Sequence, residues 1–254
     1  MQYSSQIKNL EDEDKNVQAV RFRISLRVSL LFVFIIWLVK IIEIIFGVRF
    51  VEYGVFPQTF SGLKGILFSP FIHGDFKHLF SNTFPVLFLF MGLIYFYPRT
   101  KFQIFGIIYF ASGVILWIIG RQSYHIGASG LIYALAAFHF FSGVLSKRTD
   151  FIALSLIVIF LYGGLVWGIF PGGEERVSWE GHLAGFVVGA FLSVFYHPKP
   201  KIELYSDELD DKINFVYFYD FKNHNASIEE HIYYKYFDEE ETDENEDNIK
   251  IINQ

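Results

Sequence analysis

The sequence contains no cysteine among its 254 residues. This absence excludes disulfide bonds, thiolate zinc sites, iron–sulfur clusters and cysteine nucleophiles, because each of these requires a thiol. The sequence also contains no metal-binding motif and no glycine-rich nucleotide loop. We therefore expect no metal, no cofactor and no nucleotide, and the charge pattern indicates no basic surface for a nucleic acid.

Polar residues are scarce outside the carboxyl end of the chain. Hydrophobic residues make up 52% of the sequence and aromatic residues 20%, with 31 Phe, and the mean hydropathy is +0.33. Since the residues from Glu203 onward are strongly acidic and polar, the preceding part is more apolar than a soluble domain. This composition excludes a disordered chain, a fibrous repeat and an ordinary soluble enzyme. It indicates a polytopic membrane protein.

Six stretches are long enough to cross a membrane, which requires about 20 mostly apolar residues. They are residues 26–46, 77–97, 102–120, 124–145, 151–170 and 178–196. We therefore predict an all-α fold with a six-helix membrane domain at 26–197, preceded by an arm at 1–25. The tail at 198–254 combines an aromatic part, amphipathic or strand-like, with an acidic run at 238–247 that we expect to be disordered.

Basic residues in the loops predict the orientation of the helices. With the N-terminus inside, the inner segments contain eleven basic residues and the outer segments five. Because basic residues favour the inner side, both termini are predicted to be cytoplasmic. The first outer loop, at about 47–76, contains apolar stretches broken by Gly and Pro, so we expect it to be structured and partly immersed in the outer leaflet.

Six polar side chains interrupt the apolar windows in a way that needs explanation, and they form two groups. Lys40 and Glu43 stand three residues apart in the first window and can pair. The other group is more suggestive: it contains His78 and Asn82 near the start of the second helix and Ser129 near the start of the fourth. Strongly polar side chains in membrane helices are costly, and by default they indicate a functional site.

His182 adds to this second group from the start of the sixth helix. The second, fourth and sixth helices all begin at the outer side, so these residues lie at a similar depth. Small residues on two of the helices favour close packing. They are Gly127, Gly130 and Ala134 on the fourth helix and Gly185 and Gly189 on the sixth. Such stripes let membrane helices approach closely, which would place Ser129 beside His182.

The chemistry of these residue types suggests a serine–histidine dyad. A serine hydroxyl becomes a strong nucleophile only where a base within about 3 Å takes its proton, and His182 can be that base. No carboxylate accompanies the pair, since Glu180, two residues away on a helix, points elsewhere. Tyr133 lies one turn below Ser129, in a position to pack against the ring of His182.

A developing oxyanion needs hydrogen-bond donors close to the nucleophile. His78 and Asn82 can each supply a side-chain N–H. The backbone N–H of Ser129, in the first turn of its helix, can supply another, assisted by the positive end of the helix dipole. We therefore predict an oxyanion hole made of His78, Asn82 and the Ser129 amide.

Three segments that carry these residues resemble the rhomboid family of intramembrane serine proteases. They are His73-Gly-Asp-Phe-Lys-His78-Leu-Phe-Ser-Asn82, Gly127-Ala128-Ser129-Gly130 and His182-Leu-Ala-Gly185-Phe-Val-Val-Gly189. The first is similar to the family's His…His-x-x-x-Asn element, the second to its G-x-S-G motif and the third to its closing histidine and glycines. The resemblance covers residues 53–197, and three blocks in this order are highly specific.

The resemblance implies a six-helix core whose fourth helix begins inside the membrane, below a cavity open to the outside. It implies that Ser129 is the nucleophile and His182 the general base, with His78, Asn82 and the Ser129 amide at the oxyanion. Tyr133 falls where the family has its histidine-stacking tyrosine.

The same resemblance implies a substrate class and a location. The substrate would be a single-spanning membrane protein that enters laterally, past the fifth helix and the loop at 171–177, and is cut near its outer end. The protein would then be a multi-pass protein of a prokaryotic plasma membrane, with the lipid bilayer and a transmembrane substrate as its partners.

Other interpretations remain open at this stage. Ser129 alone is more often a packing residue, and a rhomboid-like protein without catalysis could bind transmembrane clients. A small transporter or channel is a third possibility, although the polar residues cluster only at the outer side. Three further histidines are less informative: His73 could line the entrance to a site, His125 is expected at the membrane interface, and His139 has no evident partner.

Overall fold

The computed structural model describes residues 2–172, 177–198, 213–215, 233–236 and 250–251. The chain divides into two compact units, Met1–Lys201 and Ile202–Gln254. The first unit is built of helices. They are α1 (Gln2–Phe46), α2 (Lys64–Phe68), α3 (Phe76–Phe96), α4 (Lys101–Ile119), α5 (Ser129–Ser146), α6 (Thr149–Tyr162) and α7 (Trp179–Tyr196), with short 3₁₀ helices at Val51–Tyr53, Phe60–Leu63, Ser69–Phe71 and Gly163–Ile169.

Five helical segments of the described chain are long and apolar enough to cross a membrane. They are Lys15–Phe46, Phe76–Phe96, Lys101–Ile119, Ser129–Ser146 and Thr149–Ile169. The predicted polytopic helical bundle is therefore confirmed. The sixth predicted window also forms a helix, α7, but its first turn contains Glu180 and His182 and it is not among these five. The count of six spans stays a prediction.

Two helix boundaries differ from the predicted windows. The first helix does not begin near residue 26, because α1 is continuous from Gln2 to Phe46. The fourth window was expected to begin at 124, whereas α5 begins at Ser129. Residues before Ser129 are held outside the helix by backbone hydrogen bonds between His125 and Val55 and by the positive φ of Gly127, +108°. Such a φ is readily adopted only by glycine.

Capping residues account for the starts of the two helices that bring histidines to the site. The side chain of Asp75 accepts a hydrogen bond from the His78 N–H at 2.8 Å and thereby caps α3. Ser178 caps α7 in the same way, accepting from the Gly181 N–H at 3.1 Å. Each cap satisfies a backbone donor that the helix leaves unpaired. His78 lies three residues after its cap and His182 four residues after its own.

The helix α5 lies at the centre of the first unit, where it packs against α3, α4, α6 and α7. The share of buried residues is 61% in Ser129–Ser146 but only 11% in the most apolar 18-residue stretch of Thr149–Ile169. The interior includes Leu79, Ile104, Leu135 and Phe138, all of which are buried. The central helix therefore carries Ser129 among close neighbours, whereas α6 presents most of its surface to the surroundings.

The long segment between α1 and α3 is structured, as predicted. Its backbone at Val55 pairs with His125, and the Trp117 indole N–H donates to Thr59 O at 2.9 Å. The Tyr109 hydroxyl donates to Leu67 O. Phe60, in contrast, is 90% exposed, as expected for a side chain that inserts into lipid.

The second unit contains a three-stranded antiparallel sheet in the order β1 (Ile213–Phe215), β2 (Tyr233–Tyr236) and β3 (Lys250–Ile251). Ile213 is opposite Tyr236, and Tyr233 is opposite Ile251. These strands agree with the strand-like alternative for the aromatic part of the tail, since aromatic and β-branched residues favour strands. The acidic run at 238–247 lies outside the described residues.

Candidate active site

Ser129 and His182 are in hydrogen-bond contact. The Oγ of Ser129 lies 2.9 Å from the Nε2 of His182. Ser129 is the first residue of α5 and His182 lies in the first turn of α7. These two helices cross closely at two glycines. An added Cβ at Gly185 would overlap the carbonyl oxygen of Gly130, and one at Gly189 would overlap that of Ala134. Only glycine permits this approach.

The second ring nitrogen of His182 determines which tautomer faces the serine. Nδ1 lies 2.9 Å from the carbonyl oxygen of Gly168, in the 3₁₀ helix Gly163–Ile169. A carbonyl oxygen can only accept, so Nδ1 carries the hydrogen and Nε2 presents its lone pair to the Ser129 hydroxyl. This is the arrangement that a general base requires.

Tyr133 and Gly168 hold the imidazole ring from two sides. The ring of Tyr133 stacks on that of His182 with the centroids 4.0 Å apart and an angle of 8° between the planes. A side chain at position 168 would collide with the Tyr133 hydroxyl and approach His182 Nδ1 to 3.2 Å. Sequence analysis did not identify Gly168, because its role depends on a loop conformation that carries no local signal.

His78 and Asn82 face the backbone directly before Ser129. A Cβ at Gly127 would lie 2.6 Å from His78 Cε1 and 3.7 Å from Asn82 Nδ2. Asn82 is buried, and its Nδ2 has no hydrogen-bond partner within the described part of the chain. The structure thus brings both predicted donors to the loop that leads into α5. An unpartnered amide donor at this position is available to a ligand.

His73 lies beside His78 and not at an entrance. It is 1% exposed, and its ring packs edge-on against that of His78 with the centroids 5.0 Å apart. Neither nitrogen of His73 has a partner among the described residues. Burial, together with the positive charges of His78 and Lys40, lowers the pKa of His73 to about 3. The side chain is therefore neutral at neutral pH.

His125 is buried within the protein, and its expected position at the membrane interface stays a prediction. Its Nε2 donates to Arg121 O at 3.0 Å, so that Nδ1 accepts from the Ser178 hydroxyl at 2.6 Å. Burial lowers the pKa of His125, which favours this neutral form. Since Ser178 caps α7, His125 connects the loop before Ser129 to the helix that carries His182.

A small cavity of about 40 Å³ lies behind Ser129. Its polar lining residues are Ser69, Tyr109, Ser112, His125, Ser129 and Ser178. This volume is sufficient for a water molecule, and the hydroxyl groups offer the partners that a buried water needs.

Glu180 is buried but does not complete a triad. Its Oε1 lies 3.7 Å from Arg121 Nε and 3.4 Å from the Arg121 backbone nitrogen. Arg121 also donates through Nη2 to Val177 O at 2.7 Å. Both ring nitrogens of His182 are already bonded, to Gly168 and to Ser129. The carboxylate therefore joins the α4–α5 loop to the start of α7, and it does not contact the pair formed by Ser129 and His182.

His139 lies apart from these residues, ten positions further along α5, which is about 15 Å. Its Nε2 donates to Leu89 O at 2.9 Å, and its ring packs against Gly92. This contact accounts for a histidine for which the sequence indicates no partner. A glycine at position 92, which leaves room for the ring of His139, is the sequence signal that could have indicated this contact.

Comparisons with known proteins agree with this architecture. The family model of the Rhomboid domain matches residues 61–199. An uncharacterized protein of Mycobacterium tuberculosis and one of Mycobacterium bovis are each 36% identical over 173 residues, which cover 63% of this chain and 70% of theirs. An uncharacterized protein of Mycobacterium leprae is 30% identical over 193 residues, which cover 72% of this chain and 76% of its own. The chain is therefore an integral membrane protein that belongs to the rhomboid family.

Proposed function

We propose that this protein is an intramembrane serine endopeptidase that cleaves single-spanning membrane proteins near the outer face of the membrane. The observation that carries the proposal is the 2.9 Å contact between Ser129 Oγ and His182 Nε2, with the opposite nitrogen bonded to Gly168 O. This contact pairs a hydroxyl with a base in the tautomer that can accept its proton.

In the proposed reaction, Ser129 attacks the carbonyl carbon of the scissile peptide while His182 Nε2 takes the hydroxyl proton. The resulting imidazolium remains bonded to Gly168 O through Nδ1–H. His182 then gives the proton to the leaving amine, and the peptide C–N bond breaks. Water attacks the acyl–serine ester with His182 again as the base, which releases the acid and restores Ser129.

The negative charge that develops on the substrate carbonyl oxygen would be stabilised by three donors. These are the side chains of His78 and Asn82 and the backbone N–H of Ser129. The packing of His78 and Asn82 against Gly127 supports this role, as does the unpartnered Asn82 amide. Donors held in advance in a site without bulk water make a large contribution to catalysis.

We further propose that α7 is a sixth span and that residues 26–197 form the membrane domain of a prokaryotic plasma-membrane protein. Both termini, including the arm at 1–25 and the tail at 198–254, would be cytoplasmic. The excess of basic residues in the inner loops supports this orientation. The mycobacterial relatives support the location.

Substrates would enter laterally, past α6 and residues 171–177, of which 173–176 lie outside the described residues. Two observations support this route. The helix α6 is the least buried of the five apolar segments, and an apolar cavity of about 300 Å³ separates it from α3. Its lining includes Met91 and Tyr95 from α3 and Leu154 and Leu161 from α6. A weakly packed helix beside a cavity can move at low energetic cost.

A fluorophosphonate probe, which reacts with activated serines, tests the proposal. Purified wild type, Ser129→Ala and His182→Ala are compared, with Ser193→Ala as a matched control, since Ser193 is a buried serine near the other end of α7 whose hydroxyl donates to Ala190 O. We expect labelling of the wild type and the control alone. In reconstituted vesicles, the same two proteins should cleave a single-spanning reporter. A folded wild type that neither reacts nor cleaves would indicate a client-binding protein without catalysis.

A further inference from the structure

An ion pair on α1 contacts the segment that leads into the candidate site. The Lys40 Nζ lies 3.0 Å from Glu43 Oε2, 2.9 Å from His73 O and 3.1 Å from Gly74 O. The ammonium group of a lysine has three hydrogens, so it can donate one to each of these three acceptors. The Lys40 side chain is 12% exposed and that of Glu43 5%. All three N–H donors of Lys40, a mostly buried cation, therefore have acceptors.

Glu43 extends the same connection to the other end of the long loop. Its Oε1 accepts a hydrogen bond from the Phe50 N–H at 2.7 Å, while its Oε2 binds Lys40. The two side chains thus join the end of α1, the start of the loop and its last residues. Buried ion pairs are costly to desolvate, and apolar residues at positions 40 and 43 would insert into a membrane more easily. Stability alone is a weak explanation for the pair.

The carbonyl groups that Lys40 binds belong to the two residues directly before the α3 cap. Asp75 follows Gly74, and its carboxylate accepts the His78 N–H at 2.8 Å. Lys40 also binds the carbonyl oxygen of His73, and the side chain of His73 packs against the His78 ring. The position of His78 therefore depends on a turn that Lys40 anchors to α1.

A second contact, one helical turn further along α1 towards the N-terminus, holds the next part of α3. The Trp37 indole N–H donates to Thr83 Oγ1 at 3.0 Å. Thr83 is the neighbour of Asn82, and its hydroxyl donates back to Leu79 O at 2.8 Å. The helix α1 thus fixes α3 at two levels, one beside each predicted oxyanion donor.

We propose that Lys40 and Glu43 are positioning residues that hold the start of α3 so that His78 and Asn82 donate to the oxyanion beside Ser129. The inference rests on the proposed protease function and adds a requirement to it. Neither residue touches the substrate. A displacement of about 1 Å in donors of this kind can lower a rate by about 10²-fold.

The test measures kcat and KM for reporter cleavage by Lys40→Met, which keeps the length of the side chain and removes its donors. We expect kcat to fall by about 10–10² while KM changes by less than about threefold, because the donors act mainly in the transition state. Arg148→Met is the matched control. It removes a 2.8 Å ion pair with Asp150, at the opposite end of α5 from Ser129, and should retain the wild-type kcat.

Two double variants separate positioning from stability. In Lys40→Met/Glu43→Gln no unpaired carboxylate remains, so the thermal midpoint should recover towards the wild-type value while kcat stays low. Recovery of kcat together with the midpoint would overturn the proposal. In a His78→Ala background, Lys40→Met should cause a smaller loss of kcat than in the wild type, because one of the two donors that it positions is already absent; two independent losses that multiply would also overturn the proposal.

Failure of the proposal and failure of the protease function give different results. An active wild type with an equally active Lys40→Met variant refutes the positioning role alone. A folded wild type that cleaves no reporter and reacts with no fluorophosphonate refutes the protease function, and the positioning role with it.

Discussion

His182 Nε2 lies 2.9 Å from Ser129 Oγ although 53 positions separate the two residues in the sequence. The contact joins the first turns of α5 and α7, and the glycines at the crossing of these helices make it possible. The proposed nucleophile and its proposed base are thus held in contact within the folded protein.

Ser129→Ala should abolish reporter cleavage and leave a folded protein. The change removes one oxygen at the start of α5, and among the described hydrogen bonds this hydroxyl takes part only in the one that it donates to His182 Nε2. Cleavage in vesicles and the thermal midpoint in detergent would be measured on the same preparation. Cleavage by this variant at the wild-type rate would exclude Ser129 as the nucleophile.

Asn82→Ala should lower kcat by about 10²–10³, the effect of removing one oxyanion donor from soluble serine proteases. Its amide has no partner within the described residues, so its loss should cost little stability. Ser81→Ala is the control, because within the described part of the chain the Ser81 hydroxyl bonds only to His78 O in its own helix. An Asn82→Ala enzyme with unchanged kcat would remove this residue from the oxyanion hole.

Substitutions of Tyr133 should distinguish its ring from its hydroxyl. Tyr133→Phe preserves the stacking on His182 at 4.0 Å, whereas Tyr133→Ala removes it. We expect Phe to retain kcat within about threefold and Ala to lose at least about tenfold, because the unsupported imidazole samples other rotamers. Equal losses in both variants would show that the hydroxyl, not the ring, is the important group.

Gly185→Ala should destabilise the protein by about 1–3 kcal/mol, because the new methyl group would overlap the backbone of Gly130. Gly106→Ala, within α4, has nothing within 4 Å of the added Cβ. That control should be neutral or stabilising by about 0.5–1 kcal/mol. Unfolding by denaturing detergent measures both. Identical unfolding curves would contradict the close crossing of α5 and α7.

The stability of the fold should fall as the pH decreases from 7 to 5. The pKa of buried His73 is lowered from 6.5 to about 3, so below pH 6.5 the unfolded chain binds a proton that the folded chain does not. His73 thus contributes fully to stability above pH 6.5, and this contribution declines as the pH approaches 3.

His73→Phe removes the titrating group and keeps an aromatic ring against His78. The decrease in unfolding free energy between pH 7 and pH 5 should be about 2 kcal/mol smaller in this variant than in the wild type. The unfolding free energies of the two proteins would be compared in the same detergent at pH 7 and at pH 5. Parallel changes with pH would show that His73 is not buried in its neutral form.

Several features of the fold follow from local sequence. Long apolar stretches have to be helical in a membrane, since each backbone group needs a partner within the segment. The apolar windows thus predicted the helical segments, and the helix period predicted the shared face of Lys40 and Glu43, whose 3.0 Å ion pair is confirmed. The direction of the helices also suggested a common depth for Ser129 and His182.

Other features were decided only by tertiary structure. Gly168 O holds the tautomer of His182, and His125 bonds to the cap of α7. Lys40 binds two carbonyl oxygens more than thirty positions away. Each of these contacts depends on the path of a loop, and a loop's path is set by its packing against distant helices and by no periodic pattern of its own.

The sequence by itself therefore determined which segments are apolar enough to cross a membrane and predicted a common depth for their polar residues, because hydropathy and helix geometry are local properties. The tertiary structure decided which nitrogen of His182 faces Ser129, and that Glu180 bonds Arg121 and not the histidine. Such choices are settled by distances of a few tenths of an ångström between elements remote in sequence, and only the packed helices determine those distances.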